Sequence, residues 1–342
     1  MKKIFFLIWI GALLVSGCKN DGDDSSDPDT EEPETPGSAI DFTAPIRGVN
    51  WADKRDNFVD DYLVPSGLTS GDSYYMVQAD AQYVIKGFKE NMSANTVRLP
   101  INYPTVSGTW WNGYKGAIDM AVDKGMRVIL AYWEGASSRD GKVDNDNEFW
   151  AMWTKVVGAY ADNPGVYFEV MNEPHGYALE ALMALYEKWL SKYPSIPHGR
   201  ILLGGTGYSE DVTKVGADSR FTNCLLSLHN YAFWATRSAE EWRSDWLKRI
   251  GDYASRTVVT EFGATMTQGK DYNSTEAGDN EIDYIQTSTS LFREYGIASV
   301  YWPGLRDDDW YTIQQLDYST YKMSTTNASG LYRIQYGWGL NP

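Results

Sequence analysis

The sequence predicts an α/β fold, a (β/α)8 (TIM) barrel, on three observations. Short apolar runs rich in β-branched and aromatic residues recur along the chain. Amphipathic stretches separate most of them. Polar and aromatic side chains interrupt the runs near one end only. Strict alternation of strand and helix argues a parallel sheet, and eight such units close into a barrel.

The strands follow in order. They are "IRGVNWA" (46–52), "ANTVRLPI" (94–101), "RVILAYWE" (127–134), "GVYFEVMNE" (165–173), "RILLGG" (200–205), "CLLSLHNY" (224–231), "RTVVTEFG" (256–263) and "ASVYWPG" (298–304). Most are near-continuous apolar runs, as expected of parallel strands covered on both faces. Helices are predicted over 74–90, 115–124, 147–161, 178–192, 239–253 and 281–295. The fifth unit is weakest, since "TGYSEDVTKVGAD" allows only a short helix. An open doubly wound sheet is the rival. It would carry a glycine-rich phosphate loop after its first strand, and "NWADKRD" is not one.

The barrel does not begin at residue 1. "MKKIFFLIWIGALLVSGC" has a basic start, a short apolar stretch and small residues before Cys18, the pattern of a secretory signal. Leu14-Val15-Ser16-Gly17-Cys18 resembles a bacterial lipobox, which implies cleavage before Cys18 and lipid attachment to it. Residues 19–39 hold eight acidic residues, three prolines and no large apolar side chain, so they are expected to form a disordered tether. The expected organisation is a signal peptide over 1–17, a lipidated Cys18 with acidic linker over 18–40, and a barrel over 41–342. A tethered monomer at the outer membrane or cell surface follows. The net charge of −16 and the lack of a basic patch exclude nucleic acid as a partner.

The polar groups collect where chemistry sits in such a barrel, at the C-terminal ends of the strands. They are Arg98, Trp133-Glu134, Asn172-Glu173, His229-Asn230-Tyr231, Glu261 and Trp302. Glu173 and Glu261 belong to strands on facing parts of the wall, so their carboxyls can converge across the mouth. Cleavage of a glycosidic bond needs such a pair, one protonated and one ionised. Tyr231 is placed to donate a hydrogen bond to Glu261, and Arg98 adds positive charge on that side. The 14 Trp and 24 Tyr suit either core packing or stacking on sugar rings. Trp110-Trp111 has the same two readings.

At these residues the sequence resembles the retaining glycoside hydrolases of the large (β/α)8 clan, above all glycoside hydrolase family 5, the cellulase type. The likeness runs from Ile46 to Arg306 and rests on "RGVNW", "NTVRLPI", "VMNEPHG", "SLHNY", "VTEFG" and "VYWPG". It implies Glu173 as general acid/base and Glu261 as nucleophile. It implies further that Asn172 binds the sugar 2-hydroxyl, His229 and Tyr231 line the reactive subsite, Arg98 supports Glu261, and Trp302 lies under the reactive sugar. No cofactor is implied. One departure stands out: where such sequences commonly carry a histidine after the third strand, this one has Trp133 and Glu134. Glu134 is then a sugar ligand, a charge that raises the pKa of Glu173, or a loop acid paired with an arginine. The substitution leaves the glycan and linkage open. The loop "WPGLRDDDWY" is placed to narrow one end of the cleft.

Other chemistries fare worse. The acidic stretch 139–148 lacks the spacing of a calcium loop. His175 and His198 have no ligand-spaced partners for zinc. Two alternatives stay open: a surface glycan-binding lipoprotein with weak catalysis, and an exo-acting glycosidase with a closed pocket, furanosidases included.

Overall fold

The computed structural model describes residues 39–276 and 278–342. The expected signal peptide, Cys18 and nearly all of the acidic linker lie outside them. In chain order the elements are β1 (Arg47–Trp51), α1 (Tyr74–Met92), β2 (Thr96–Ile101), α2 (Tyr103–Ser107), α3 (Trp110–Asp123), β3 (Arg127–Tyr132), α4 (Asp146–Tyr160), β4 (Val166–Glu169) and α5 (Leu179–Lys192). Then come β5 (Ile201–Gly204), α6 (Thr206–Ser209), α7 (Thr213–Ala217), β6 (Leu225–His229), α8 (Ala239–Ile250), β7 (Thr257–Phe262), α9 (Asn280–Tyr295) and β8 (Ala298–Leu305). A hairpin, β9 (Gln314–Asp317) and β10 (Lys322–Thr325), and a final helix α10 (Ala328–Gly337) complete the chain.

The eight strands β1 to β8 pair in sequence order and close into a barrel, with β1 parallel to both β2 and β8. Register is set by burial, because a slip of one residue would turn each inward side chain outward. The barrel interior changes character along its axis. Near its floor, Ile46, Ile129, Leu202, Val258 and Val300 form a buried apolar layer. Higher up, the interior holds Arg98, Glu169, Ser227 and Thr260, all buried and joined by hydrogen bonds.

Outside the strands, the helices bury their apolar stripes against the sheet. Local chemistry fixes their starts: Asn145 caps α4 through the amides of Asn147 and Glu148, and Ser238 and Glu241 form a capping box on α8. Most of the tryptophans are structural. Trp51, Trp110, Trp153, Trp189, Trp242 and Trp246 are fully buried, and Trp111 joins the same core. The pair Trp110-Trp111 is therefore packing, with the Trp110 indole donating to the Leu63 carbonyl at 2.8 Å.

The fifth unit is two short turns, α6 and α7, as its weak pattern foretold. The expected helix over 115–124 begins earlier, at Trp110. The hairpin and α10 lie beyond the stretch read as barrel. The hairpin packs on α1, where a β-carbon at Gly87 would meet Met323 at 2.4 Å. Behind α10, Trp338 donates to the Ser299 hydroxyl at 3.1 Å.

Candidate active site

The mouth of the barrel is built from strand ends that stop in unusual ways. After β4 the chain stays tied to β3, since the Asn172 amide donates to the Tyr132 carbonyl at 2.8 Å. Glu173 then adopts a φ of +45°, in the left-handed region, just before Pro174. Such a conformation costs on the order of 1–3 kcal/mol and persists where surroundings enforce it. Here the amide of His175 returns to the Glu173 carbonyl at 2.7 Å, and the carboxyl turns into the mouth. On β7, Gly263 lets the strand carrying Glu261 press against β8. A β-carbon there would sit 2.2 Å from the Trp302 carbonyl oxygen.

Arg98 is the hub. Its Nε and Nη2 grip Glu169 at 2.6 and 2.9 Å. Nη1 donates to Asn50 at 2.9 Å and to Glu261 at 2.6 Å, and Nη2 also reaches Asn172 Oδ1 at 2.8 Å. Burial opposes its charge, but Glu169 and Glu261 more than compensate and hold its pKa above the ordinary arginine value. The bond from Arg98 fixes the Asn172 amide, whose Nδ2 is buried with no hydrogen-bond partner among the described residues.

The two glutamates sit close together in different surroundings. An oxygen of Glu173, an oxygen of Glu261 and a ring nitrogen of His229 lie within 4.8 Å of one another. His229 Nδ1 stands 3.0 Å from Glu173 Oε1 and 3.5 Å from Glu261 Oε2. Tyr231 donates to Glu261 Oε2 at 2.9 Å. Burial pushes Glu173 up to about 8; Arg98 and His175 oppose the shift, while Asp56 and Glu169 add to it. Burial and the neighbouring Glu173 charge also raise Glu261, and His229, Arg98 and the Tyr231 hydroxyl offset only part of that shift. Glu261 thus has two hydrogen-bond donors favouring its charged form, Arg98 and Tyr231. Burial and the Glu261 charge keep the Tyr231 proton in place, and burial lowers the pKa of His229, favouring the neutral ring.

Around this pair lies a cavity of about 500 Å³. Trp133 and Trp302 form one wall, their rings stacked at 5.7 Å between centroids. The structure brings Arg98, Asn172, Glu173, His229, Tyr231 and Glu261 into one network and sets Trp302 and Trp133 beside it.

Glu134 lines the cavity, with its carboxylate engaged by the backbone. It is only 2% exposed. Its carboxylate accepts from the Asp140 amide at 3.0 Å and from the Gly141 amide at 3.0 and 3.1 Å. Gly141, at φ +71°, in turn accepts from the Gly176 amide at 3.2 Å. A β-carbon at Gly141 would come within 2.6 Å of the His175 ring. Glu134 therefore pins the loop after β3 against the loop carrying Glu173. It pairs with no arginine, and the repulsion acting on Glu173 comes from Asp56 and Glu169.

Several site residues escaped the sequence reading. Glu169 is the main one, and parity within β4 signals it: it lies two residues after Tyr167, which packs on the inward apolar layer, so its carboxylate faces the interior too. Asn50 sits in "RGVNW" without a local signal. Asp56, Arg139, Arg306, Tyr208 and Trp234 reach the cavity from loops. Loop acids in 139–148 are engaged locally: Asp140 accepts from the Lys142 amide, Asp144 from Gly135, and Asn145 caps α4. Among the described residues, the group of metal-capable side chains with converging donor atoms is Glu173, His229 and Glu261. His175 instead stacks on Tyr208 at 4.1 Å, and His198 Nδ1 contacts the Thr222 carbonyl.

Comparison with known proteins agrees with this architecture. Endoglucanase A of Butyrivibrio fibrisolvens is 24% identical over 249 residues, covering 68% of this chain and 54% of that protein. The manganese dependent endoglucanase Eg5A of Phanerodontia chrysosporium is 29% identical over 100 residues, 25% of this chain and 26% of that protein. The chain thus spans about half the length of the first relative and about a quarter of the second. In fold it is similar to the catalytic domain of Thermobifida fusca endoglucanase Cel5A, with a TM-score of 0.58 at 19% identity over 86% of this chain and 92% of that one. A hyperthermophilic endocellulase from the archaeon Pyrococcus horikoshii gives 0.64 at 15% identity, with the same coverage of both chains. The cellulase family, glycosyl hydrolase family 5, matches residues 59–304, and the chain belongs to it.

Proposed function

We propose that the protein hydrolyses β-glycosidic bonds of a β-glucan or related polysaccharide or oligosaccharide, with net retention of configuration. The observation that carries the reading is the convergence of Glu173 and Glu261, one oxygen of each within 4.8 Å, which fits the closer of two carboxyl spacings. Retaining enzymes hold their carboxyls about 5–5.5 Å apart, whereas inverting enzymes leave room for a water at about 6.5–9.5 Å. The electrostatic split supports the roles. Glu173, raised to about 8, keeps its proton near neutral pH, while Arg98 and Tyr231 favour the charged form of Glu261.

In the first step Glu261 attacks the anomeric carbon as the bond to the leaving oxygen breaks. Glu173 gives that oxygen its proton, and a glycosyl ester remains on Glu261. In the second step Glu173, now ionised, takes a proton from water as the water attacks the same carbon. Glu261 leaves as a carboxylate and Glu173 is protonated again. The unpartnered Asn172 Nδ2 is left free to donate to a sugar hydroxyl, and the Trp302 ring offers a face for the sugar. The named activities of the relatives, endoglucanases and an endocellulase, agree with a glucan.

Two experiments test the reading. The form beginning at Ser38 is incubated with β-glucans, mannans, xylans, galactans and aryl glycosides beside Glu261→Gln. Cleavage that is absent in the variant is expected; tight glycan binding by both proteins without cleavage would support a capture protein instead. Azide then tests the roles. It should rescue Glu261→Gly with an α-azide product and Glu173→Ala with a β-azide; the reverse pattern swaps the two glutamates. Chemistry by the carboxylate pair also predicts turnover in the presence of a chelator. Activity lost to chelation and restored by Mn²⁺ would instead make Glu173, His229 and Glu261 a metal site.

The same proposal places the protein on a lipid anchor at the outer membrane or cell surface, supported by the Leu14-Val15-Ser16-Gly17-Cys18 sequence. Cys18→Ser should abolish labelling by a fatty-acid probe and release activity from the membrane fraction; labelling retained by the variant would refute the anchor.

A further inference from the structure

The two ends of the cleft are built from different chemistry. At one end, three loops are tied together by charge. Asp56, in the loop after β1, meets Arg306, after β8, at 3.1 Å and Arg139, after β3, at 3.6 Å. Arg306 also holds Asp309 at 2.6 Å. The guanidinium of Arg139 lies over Phe58 at 4.3 Å, and Phe58 packs edge-on against Trp133 at 4.8 Å. An ionic bar thus runs from the Trp133–Trp302 wall around the rim above β8, β1 and β3. The backbone is bent to make it: Asp56, Asn57 and Arg139 have φ values of +78°, +62° and +45°. Such strain marks positions that the surrounding contacts over-determine.

The opposite end is an open aromatic shelf. Tyr208 stacks on His175 at 4.1 Å and continues to Trp234 at 5.8 Å. Trp234 is 62% exposed and its neighbour Phe233 is 59% exposed. Flat, exposed rings beside Glu173 suit sugars that slide and leave.

Chemistry orients the cleft. The acid gives its proton to the leaving oxygen, so the leaving sugars extend on the side of Glu173, over His175 and Tyr208. The sugar that stays bonded to Glu261 sits against Trp302, and any sugar preceding it meets the bar. We propose that the Asp56–Arg139–Arg306 bar closes the glycone end of the cleft, so that the enzyme trims chain ends, releasing a mono- or disaccharide rather than cutting within the polymer. This rests on the assignment of Glu173 as acid and Glu261 as nucleophile. Asp56 and Arg306 are then specificity residues, offering carboxylate and guanidinium groups to the hydroxyls of a terminal sugar.

The test uses the polymer cut fastest in the panel above, together with reducing-end-labelled oligosaccharides of the same linkage. Viscosity and new reducing ends are followed together, and early products are sized. Wild type should produce reducing ends with little fall in viscosity and one short product. Asp56→Ser/Arg139→Ala, with the bar cut, should lose viscosity at least about tenfold faster per reducing end formed. Arg139→Gln, altering one half-exposed partner, should shift the products the same way by a smaller factor. An early mixture of oligomers and a steep viscosity drop from wild type would overturn the chain-end proposal while leaving the hydrolase reading intact. Folded bar variants with the wild-type product pattern would overturn the role of the bar. No cleavage of any polymer, oligosaccharide or aryl glycoside would overturn the hydrolase reading and this proposal with it.

Discussion

Two buried arginines, Arg98 on β2 and Arg127 at the start of β3, face opposite ends of the same barrel and hold different things. Every nitrogen of Arg98 has a partner, and its anionic partners are Glu169 and Glu261. The hydrogen bonds of Arg127 go to neutral oxygens, its Nη2 donating to the carbonyls of Asp41 and Ala44 at 2.7 and 2.8 Å, and the exposed Asp41 carboxylate feels its charge only weakly. Arg127 Nε and Nη1 are buried with no hydrogen-bond partner among the described residues, and the guanidinium lies 5.7 Å from the Phe42 ring. Arg127 fastens the entering segment to the floor. Arg98 neutralises carboxylates that the mouth needs. Burial of a charge therefore says little about function by itself; the partners decide it.

The largest expected effect follows from that contrast. Arg98→Met strands Glu169 and Glu261 in the interior without their cation, at a cost of about 3–5 kcal/mol in stability. It should also lower kcat by about 10³-fold or more, since the nucleophile loses both charge support and position. Arg127→Met strands only two carbonyls that lie near the surface. It should cost about 1–2 kcal/mol and leave kcat within about threefold of wild type. Denaturant titration and turnover on an aryl glycoside check both. Equal losses from the two variants would break the comparison.

The next effect concerns pH. The proposed mechanism needs Glu261 ionised and Glu173 protonated, so activity should fall on the acid side above the ordinary carboxylate range. On the alkaline side it should fall through about pH 8. Stability carries the same signature with a definite sign. The folded-state pKa of Glu173 is raised from 4.5 to about 8, so the folded protein keeps a proton that the unfolded chain gives up. Its contribution is present in full below pH 4.5 and is lost as pH rises through 8. Glu173→Gln does not titrate. Its thermal unfolding temperature should therefore gain on wild type between pH 5 and pH 8, although the variant is crippled as an acid. A difference that stays constant across that range would contradict the burial of Glu173.

Much of the barrel and its central pair was legible because period and position carry the information. Apolar runs marked β1 to β8, and a carboxylate ending a buried run marked Glu173 and Glu261. Glu169 was legible in principle from parity along "VYFE", but the chain leaves the strand after it, so alternation does not connect Glu169 to Glu173. Of the rim, only the loop carrying Arg306 was legible as a cleft wall, and its ion pairs were not. Asp56, Arg139 and Arg306 lie in three separate loops and meet only through the closed fold, so no local pattern pairs them. Aromatic content was ambiguous for the same reason: Trp153 and Trp234 look alike in sequence, yet one is core and the other cleft. The hairpin and α10 lay past the last barrel strand, where the alternation that signalled the rest had ended.

The smallest expected effect is also the one that separates a positioning residue from a sugar ligand at Glu134. Glu134→Gln keeps one acceptor oxygen but turns an NH2 group toward the amides of Asp140 and Gly141. That mismatch should cost about 1 kcal/mol, felt locally in the loop after β3. Because Gly141 accepts from Gly176, the loss should pass to the Glu173 loop as faster hydrogen exchange at Gly141 and Gly176, with KM raised about two- to fivefold and kcat nearly unchanged. A direct contact with the reacting sugar would give the opposite pattern. Exchange would stay at the wild-type rate while kcat fell by about 10²-fold, since only interactions that strengthen in the transition state move kcat.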